Sequence, residues 1–354
     1  MPLTLLILLI IGVLAAMITA EVLSLTVGIK KVAFRCELNM SLTEPDEVAT
    51  ITYRVRNTSL LPIGFLSFSF LFDEAVEVRE DDEWLERHRS GGLFGNMFSF
   101  DGFLMPRRVL KGRVHFSLRE RGRHNLGKVY IEVGDLLGFK TKVKSLDIPG
   151  SMICTARLID SEPDISALGG FLGDISVRRF IMEDPSLVLG FREYTGNEPM
   201  KSISWLQTAK TGLLMVKKHD FTVDTDVAVL MDIEQVDKNT AERCLEILRT
   251  VCERLETLRI PYSVHSNGDI FEVEKGGGRA HSFDVQRRIG VSKFVKYKDF
   301  ASTCRREAIA GRGSRGVIVI APALDVRTRE AISAVETATD IKACVLTGEE
   351  AANA

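Results

Sequence analysis

Paired cysteines, clustered histidines and a surplus of one charge are all missing from this 354-residue chain. The six cysteines (36, 154, 244, 252, 304 and 344) form no Cys-x-x-Cys pair, and several fall inside apolar periodic runs. They read as reduced, buried thiols, and a zinc site, which needs clustered Cys or His ligands, has none to draw on. The six histidines (88, 115, 124, 219, 265 and 281) show no His-Glu-x-x-His or related spacing. His115 falls in an alternating run and reads as a satisfied structural side chain. No serine or cysteine sits in a Gly-x-Ser-x-Gly elbow, so nothing is arranged for hydrolysis or group transfer. A formal net charge of −2 leaves no basic excess to neutralise phosphates, which argues against a nucleic-acid binder. What remains is an ordinary globular composition, 45% hydrophobic and 27% charged, long enough for two or three domains.

Charge is also absent from the first stretch, "MPLTLLILLIIGVLAAMITA", from Met1 through Ala20. As a helix it would roughly span a ~30 Å hydrocarbon core. A cleaved signal peptide would want Lys or Arg before the apolar run and a small-x-small site after it. Here the run starts almost at Met1, and Ile18-Thr19-Ala20 is a poor site, so the expectation is a retained transmembrane anchor over 1–28. Lys30, Lys31 and Arg35 follow the run and no cation precedes it. The positive-inside rule then predicts a single-pass cell-membrane protein with its bulk in the cytoplasm.

From Lys31 to about Pro149 the period is two. Val32, Phe34, Cys36 and Leu38 share one face of "KVAFRCEL". Ala49, Ile51, Tyr53 and Val55 do so in "ATITYRVR", with Thr50, Thr52, Arg54 and Arg56 opposite. Short alternating strands between turn signals predict an antiparallel, immunoglobulin-like β-sandwich over 30–150. The stretch from about Asp73 to Arg108 breaks the pattern and reads as a long loop or contact surface. Residues 151–189 read as a connector and 190–224 as a charged, aromatic segment. Over 225–350 the period changes. "VAVLMD" is a continuous apolar run suited to a strand covered on both faces. It leads into a helix with Ala241, Cys244, Leu245, Leu248, Cys252 and Leu255 on one stripe and Asn239 as N-cap. Strand and helix alternate to the end, which predicts a doubly wound, Rossmann-like α/β domain.

In such a domain ligands gather at the carboxyl ends of the strands, and Asp232 ends the first of them. "DIEQV" resembles the start of the metal-ion-dependent adhesion site of von Willebrand factor A domains, Asp-x-Ser-x-Ser. Glu234 and Val236 stand at the serine positions, and valine cannot ligate a hard cation. A Mg²⁺ site using Asp232, Glu234 and Asp325 is one reading. A strand-end Asp232 bound to loop backbone, with Asp325 as a helix N-cap, is the other. "EKGGGRAHS" (274–282) lacks the Gly-Lys-Ser/Thr ending of a phosphate loop and reads as a loop tip.

Two stretches remain. "RERGRHNLGKVYIEVGDLLGFK" carries Arg121, Gly122, Arg123, Leu126, Gly127, Asp135 and Gly138. "GFREYTGNEPMKSISWLQTAK" carries Arg192, Tyr194, Glu198, Lys201, Ile203, Trp205 and Lys210. Together they resemble the bacterial and archaeal membrane-protein family of unknown function numbered fifty-eight. In that family an anchor, a β-sandwich, a signature segment and a von Willebrand A-like domain follow in this order. Gly196, Asn197, Glu198, Lys201 and Lys210 depart from the family's Pro, Gly, Asp, Arg and Arg. The resemblance implies a membrane-anchored partner or adaptor for a MoxR-type AAA+ ATPase rather than a catalyst, with no resident cofactor. The alternative is a divalent-metal-dependent, adhesion-type ligand-binding domain. From its composition, the signature segment is expected to pair Arg192 with Glu193 or Glu198. Tyr194 and Trp205 are expected to pack as plugs that fix the two domains against each other.

Overall fold

The computed structural model describes residues 2–79, 97–135, 140–159, 168–173, 184–196, 198–220, 226–270, 272–310, 316–339 and 342–349. The chain divides into two units, Met1–Thr155 and Ala156–Ala354.

The alternation of the first unit becomes strands as expected. After helix α1 (Pro2–Lys31) come β1 (Val32–Leu38), β2 (Leu42–Thr43), β3 (Ala49–Asn57), β4 (Ile63–Leu71) and β5 (Val76–Val78). They are followed by β6 (Met97–Leu104), β7 (Val109–Leu118), β8 (Gly122–Asn125), β9 (Lys128–Gly134), β10 (Thr141–Asp147) and β11 (Ser151–Cys154). Two four-stranded sheets form, ordered β1-β3-β7-β5 and β10-β9-β4-β6, with a small third sheet β2-β11-β8. Ala49, Ile51, Tyr53 and Val55 are fully buried on one face of β3 and join Phe68, Phe70, Phe116 and Ile131 in the sandwich core. Tyr53 meets Phe68 edge-on at 5.0 Å between ring centroids. Each such side chain contributes about 1.5–3 kcal/mol by leaving water. The stretch read as a loop holds two strands. β5 pairs with β7, and β6 pairs with β4 from Phe68↔Phe100 to Leu71↔Met97. The acidic "REDDEW" run (79–84) lies, apart from Arg79, outside the described residues. His115 bonds through Nδ1 to Thr50 Oγ1 at 2.9 Å, a structural role as expected.

The second unit contains β12 (Asp184–Glu193), α2 (Trp205–Thr211), β13 (Met215–Asp220), β14 (Val227–Met231), α3 (Lys238–Thr257) and β15 (Tyr262–Ser266). β16 (Val273–Gly276), α4 (Arg279–Val291), α5 (Phe300–Ala310), β17 (Gly316–Ala321), α6 (Val326–Thr339) and β18 (Cys344–Thr347) complete it. The five-stranded sheet is ordered β16-β15-β14-β17-β18. Val227, Val229 and Met231 of β14 face a core shared with α3, while Ala228 and Leu230 face α5 and α6. That two-sided burial is why "VAVLM" is apolar throughout. Asp237, not Asn239, caps α3, accepting from the amides of Asn239 (3.0 Å) and Thr240 (3.1 Å). The segment read as a connector is built into both units: β11 pairs with β2 and β8, and Ala156, Ile159, Leu168 and Leu172 enter the second core. All six cysteines are buried free thiols, and burial pushes Cys252 up to about 12.

The expected fold class is corrected at both ends. Among the described residues no helix is long and apolar enough to cross a membrane. The doubly wound Rossmann-like or von Willebrand A-like domain is set aside as well. β16 runs antiparallel to β15, with Val264 opposite Val273. Only residues 267–272 join these strands, too few for the crossover of a dozen or more residues that a parallel pair requires. The sheet is therefore mixed.

Candidate functional site

Asp232 continues the ladder beyond β14, its amide donating to the Ile320 carbonyl at 2.8 Å. The side chain is 1% exposed. Asn267, just past β15, donates from Nδ2 to Asp232 Oδ1 at 2.9 Å, and Thr328 of α6 donates from Oγ1 to Oδ2 at 3.2 Å. Asn267 also accepts from the Ile233 amide at 2.7 Å, so it ties the ends of β14 and β15 together. Burial, aided by the nearby Glu234 charge, pushes the Asp232 carboxyl from 3.8 to about 6, against the pull of Asn267 and Thr328.

The other two candidate ligands are engaged separately. Glu234 is exposed and forms an ion pair with Lys296, which raises the lysine's pKa. Asp325 caps α6, accepting from the Thr328 amide at 2.6 Å, and the Thr328 side chain first, with this amide after it, lowers its pKa. Thr328 thus places Asp325 beside Asp232 at one sheet edge, as the spacing suggested. Each oxygen of Asp232 accepts one hydrogen bond, and Val236 brings no donor atom. Among the described residues no group of three or more His, Cys, Asp or Glu is gathered to hold a metal. A pocket of ≈ 340 Å³ opens beside Asn267, lined by Ser266, Gly268, Glu272, Tyr297 and Lys298. The sequence reading passed over Asn267, Thr328 and Lys296. "Ser-Asn-Gly" directly after a buried strand was the available signal for the first.

The signature segment forms a separate feature. β12 and β13 pair antiparallel, with Arg192 opposite Val216. In the turn beyond β12, Glu198 accepts from the Thr195 amide (3.1 Å), Thr195 Oγ1 (2.6 Å) and Arg192 Nη1 (2.5 Å). The Thr195 bond first, and the Arg192 bond after it, hold the Glu198 carboxyl down to about 2. This is the charge-assisted pairing expected for Arg192. Gly196 adopts φ +99, a conformation that a proline cannot reach, and Asn197 lies outside the described residues. The Tyr194 hydroxyl donates to the Gly196 carbonyl at 3.3 Å. The turn is a self-contained latch.

From it the chain enters α2, whose Thr208 Oγ1 accepts from the Met215 amide at 3.0 Å. Gly212 ends the helix at φ +71. Ile203 and Val216 are buried opposite each other. Trp205 is not the expected plug. It is 62% exposed, with Met200 at 70% and Leu206 at 69%, and Leu213 and Leu214 are exposed as well. Lys201 and Lys210 are exposed on the same segment.

In the first motif, Arg121 precedes β8 half-buried and Arg123 is exposed. Gly122 and Gly127 take φ +147 and +103, and Leu126 between them is fully buried. Asp135 is buried and accepts from the Lys140 amide at 3.0 Å, while Gly138 lies outside the described residues. The glycine run 276–278 joins β16 to α4, and the Gly278 amide donates to Glu256 Oε2 at 2.9 Å.

No family model and no curated protein matches the chain. Similar solved structures align with about a third of it. A PapD-like domain of human CEP192 has 16% identity over 34% of this chain and 84% of that one, with a TM-score of 0.21. The seventh ScaB type I cohesin from Pseudobacteroides cellulosolvens has 12% identity over 36% and 96%, at 0.23. Native alpha-2-macroglobulin from Escherichia coli has 6% identity over 35% of this chain and 23% of that chain, at 0.26. Likenesses of this size carry no functional argument.

Proposed function

We propose that the chain is a non-enzymatic interaction protein, an adaptor that binds a protein partner through the surface around α2. One observation carries this reading. Met200, Trp205, Leu206 and Leu213 stand in solvent on a segment whose backbone is pinned by the Glu198 latch and by Thr208. An exposed Trp on a pinned frame is a usual anchor of an interface, and the exposed Met and Leu beside it widen the apolar patch around it. The resemblance stated above supplies the partner class, a MoxR-type AAA+ ATPase. The six free thiols support a reducing compartment.

Trp205→Ala is expected to weaken retention of such an ATPase by about thirtyfold, as loss of a hot-spot residue does. Its stability should stay within about 0.5 kcal/mol of wild type, because an exposed side chain is removed. Pull-down with the tagged full chain, paired with a thermal melt, reads both quantities. Full retention of the partner by the alanine variant would count decisively against this surface.

A further inference from the structure

The outer face of the β1-β3-β7 layer carries an arrangement that folding alone does not favour. Arg35 of β1 lies directly opposite Arg54 of β3, and Arg54 directly opposite Lys111 of β7. Arg56 and Arg113 flank this row on the same face. All five are exposed, and none has a hydrogen bond or ion pair among the described residues. Among the described residues, Glu37 is the carboxylate that shares this face on β1. Glu77, farther along the sheet, is taken by Arg119, which donates from Nε at 2.6 Å. Like charges placed directly across a ladder destabilise the pair. Three in a row across neighbouring strands, on a chain of net charge −2, are offset when anions lie against the face.

The chemistry of the face selects among anions. Four of its five cations are arginines, whose planar forks bind phosphate in bidentate fashion. Among the described residues it carries no Phe, Tyr or Trp, and its one imidazole, His115, is bonded to Thr50, so a single strand of nucleic acid would find little to stack on. Among the described residues no element projects from it to enter a duplex groove. Beyond Val109 it lacks the large apolar anchors that a protein interface uses. A flat, repeating array of phosphates requires none of these. We infer that the outer face of β1, β3 and β7 docks on a bilayer surface rich in anionic phospholipid, with Arg35, Arg54 and Lys111 as its central row. This inference is independent of the α2 surface.

The test is sedimentation of the full chain with phosphatidylcholine vesicles, with and without about 30% phosphatidylserine, at low and high salt. Added phosphatidylserine should increase binding, and high salt should reverse the increase by about tenfold. The variant Arg35→Gln/Arg54→Gln/Lys111→Gln should lose about a hundredfold of the phosphatidylserine-dependent binding. On neutral vesicles it should match wild type. Its melting temperature should equal or exceed that of wild type, because the repulsion is relieved. The charge-matched control Lys140→Gln/Lys142→Gln/Lys144→Gln, at β10, should bind as wild type does. Equal losses in both triple variants would reduce the effect to net charge and overturn the inference. So would binding indifferent to phosphatidylserine, or row-dependent capture by immobilised polyglutamate instead of vesicles, which would reassign the face to an acidic protein.

Discussion

Gly127→Ala should melt the first unit at least roughly 10 °C below wild type, the largest effect expected of a single substitution here. Two terms add. Gly127 sits at φ +103, where an L side chain costs about 1–2 kcal/mol. A Cβ built there would also lie 2.1 Å from the Leu71 carbonyl oxygen and 3.1 Å from its carbon. That neighbour is backbone of β4, fixed by pairing with Lys128, and it cannot swing aside as a side chain does. The Gly127 carbonyl accepts from the Ile148 amide at 3.1 Å, so the turn cannot shift without breaking that bond. A cost above about 4 kcal/mol is a large part of the ~5–15 kcal/mol that holds a domain together. Gly150→Ala is the internal control. At φ +98, with Leu38 Cδ1 at 3.4 Å as the nearest atom, it should incur the conformational term alone. Far-UV circular dichroism melts of both variants decide the matter, and equal midpoints would sink the steric argument.

Asp232→Asn should stabilise the protein at neutral pH. Because the folded-state pKa is raised from 3.8 to about 6, the folded chain holds a proton that the unfolded chain has released between those values. Stability from this group is therefore greatest below about pH 4, falls as pH rises toward 6, and stays reduced above it. A shift of this size corresponds to about 3 kcal/mol. Asparagine keeps an acceptor for Asn267 Nδ2 and removes the buried charge beside Glu234. Its midpoint should exceed that of wild type at pH 7.5, and the advantage should vanish near pH 4. Mg²⁺ should move neither midpoint, whereas a cation held by Asp232 would raise that of wild type alone. A variant that melts lower than wild type at pH 7.5 would overturn the account.

Much of the sandwich was legible because alternation is a local property. Thr50, Thr52, Arg54 and Arg56 could be placed on the outer face from their spacing alone, and β3 puts them there. The strands β5 and β6 were not legible, since each becomes a strand by pairing with a partner elsewhere in the chain. At the candidate site, Asp232 was found from the apolar run that it ends. Its partners Asn267 and Thr328 lie 35 and 96 residues away in sequence, and no local pattern links them to it. Trp205 was misjudged for a related reason. An amphipathic ring between charged neighbours suits a buried plug as well as an exposed anchor, and only its surroundings separate the two.

The sequence by itself determined the faces of the sandwich strands, the two-sided burial of Val227–Met231, the inert thiols and that Arg192 pairs with a carboxylate close in sequence, though not that it is Glu198. Each follows from side-chain chemistry at short range. Only the tertiary structure decided that β16 is antiparallel, that Asp232 is held by two distant donors, and that Arg35, Arg54 and Lys111 share one row. Those depend on register and on long-range closure, where shifting a strand by one residue would turn every side chain to the opposite face.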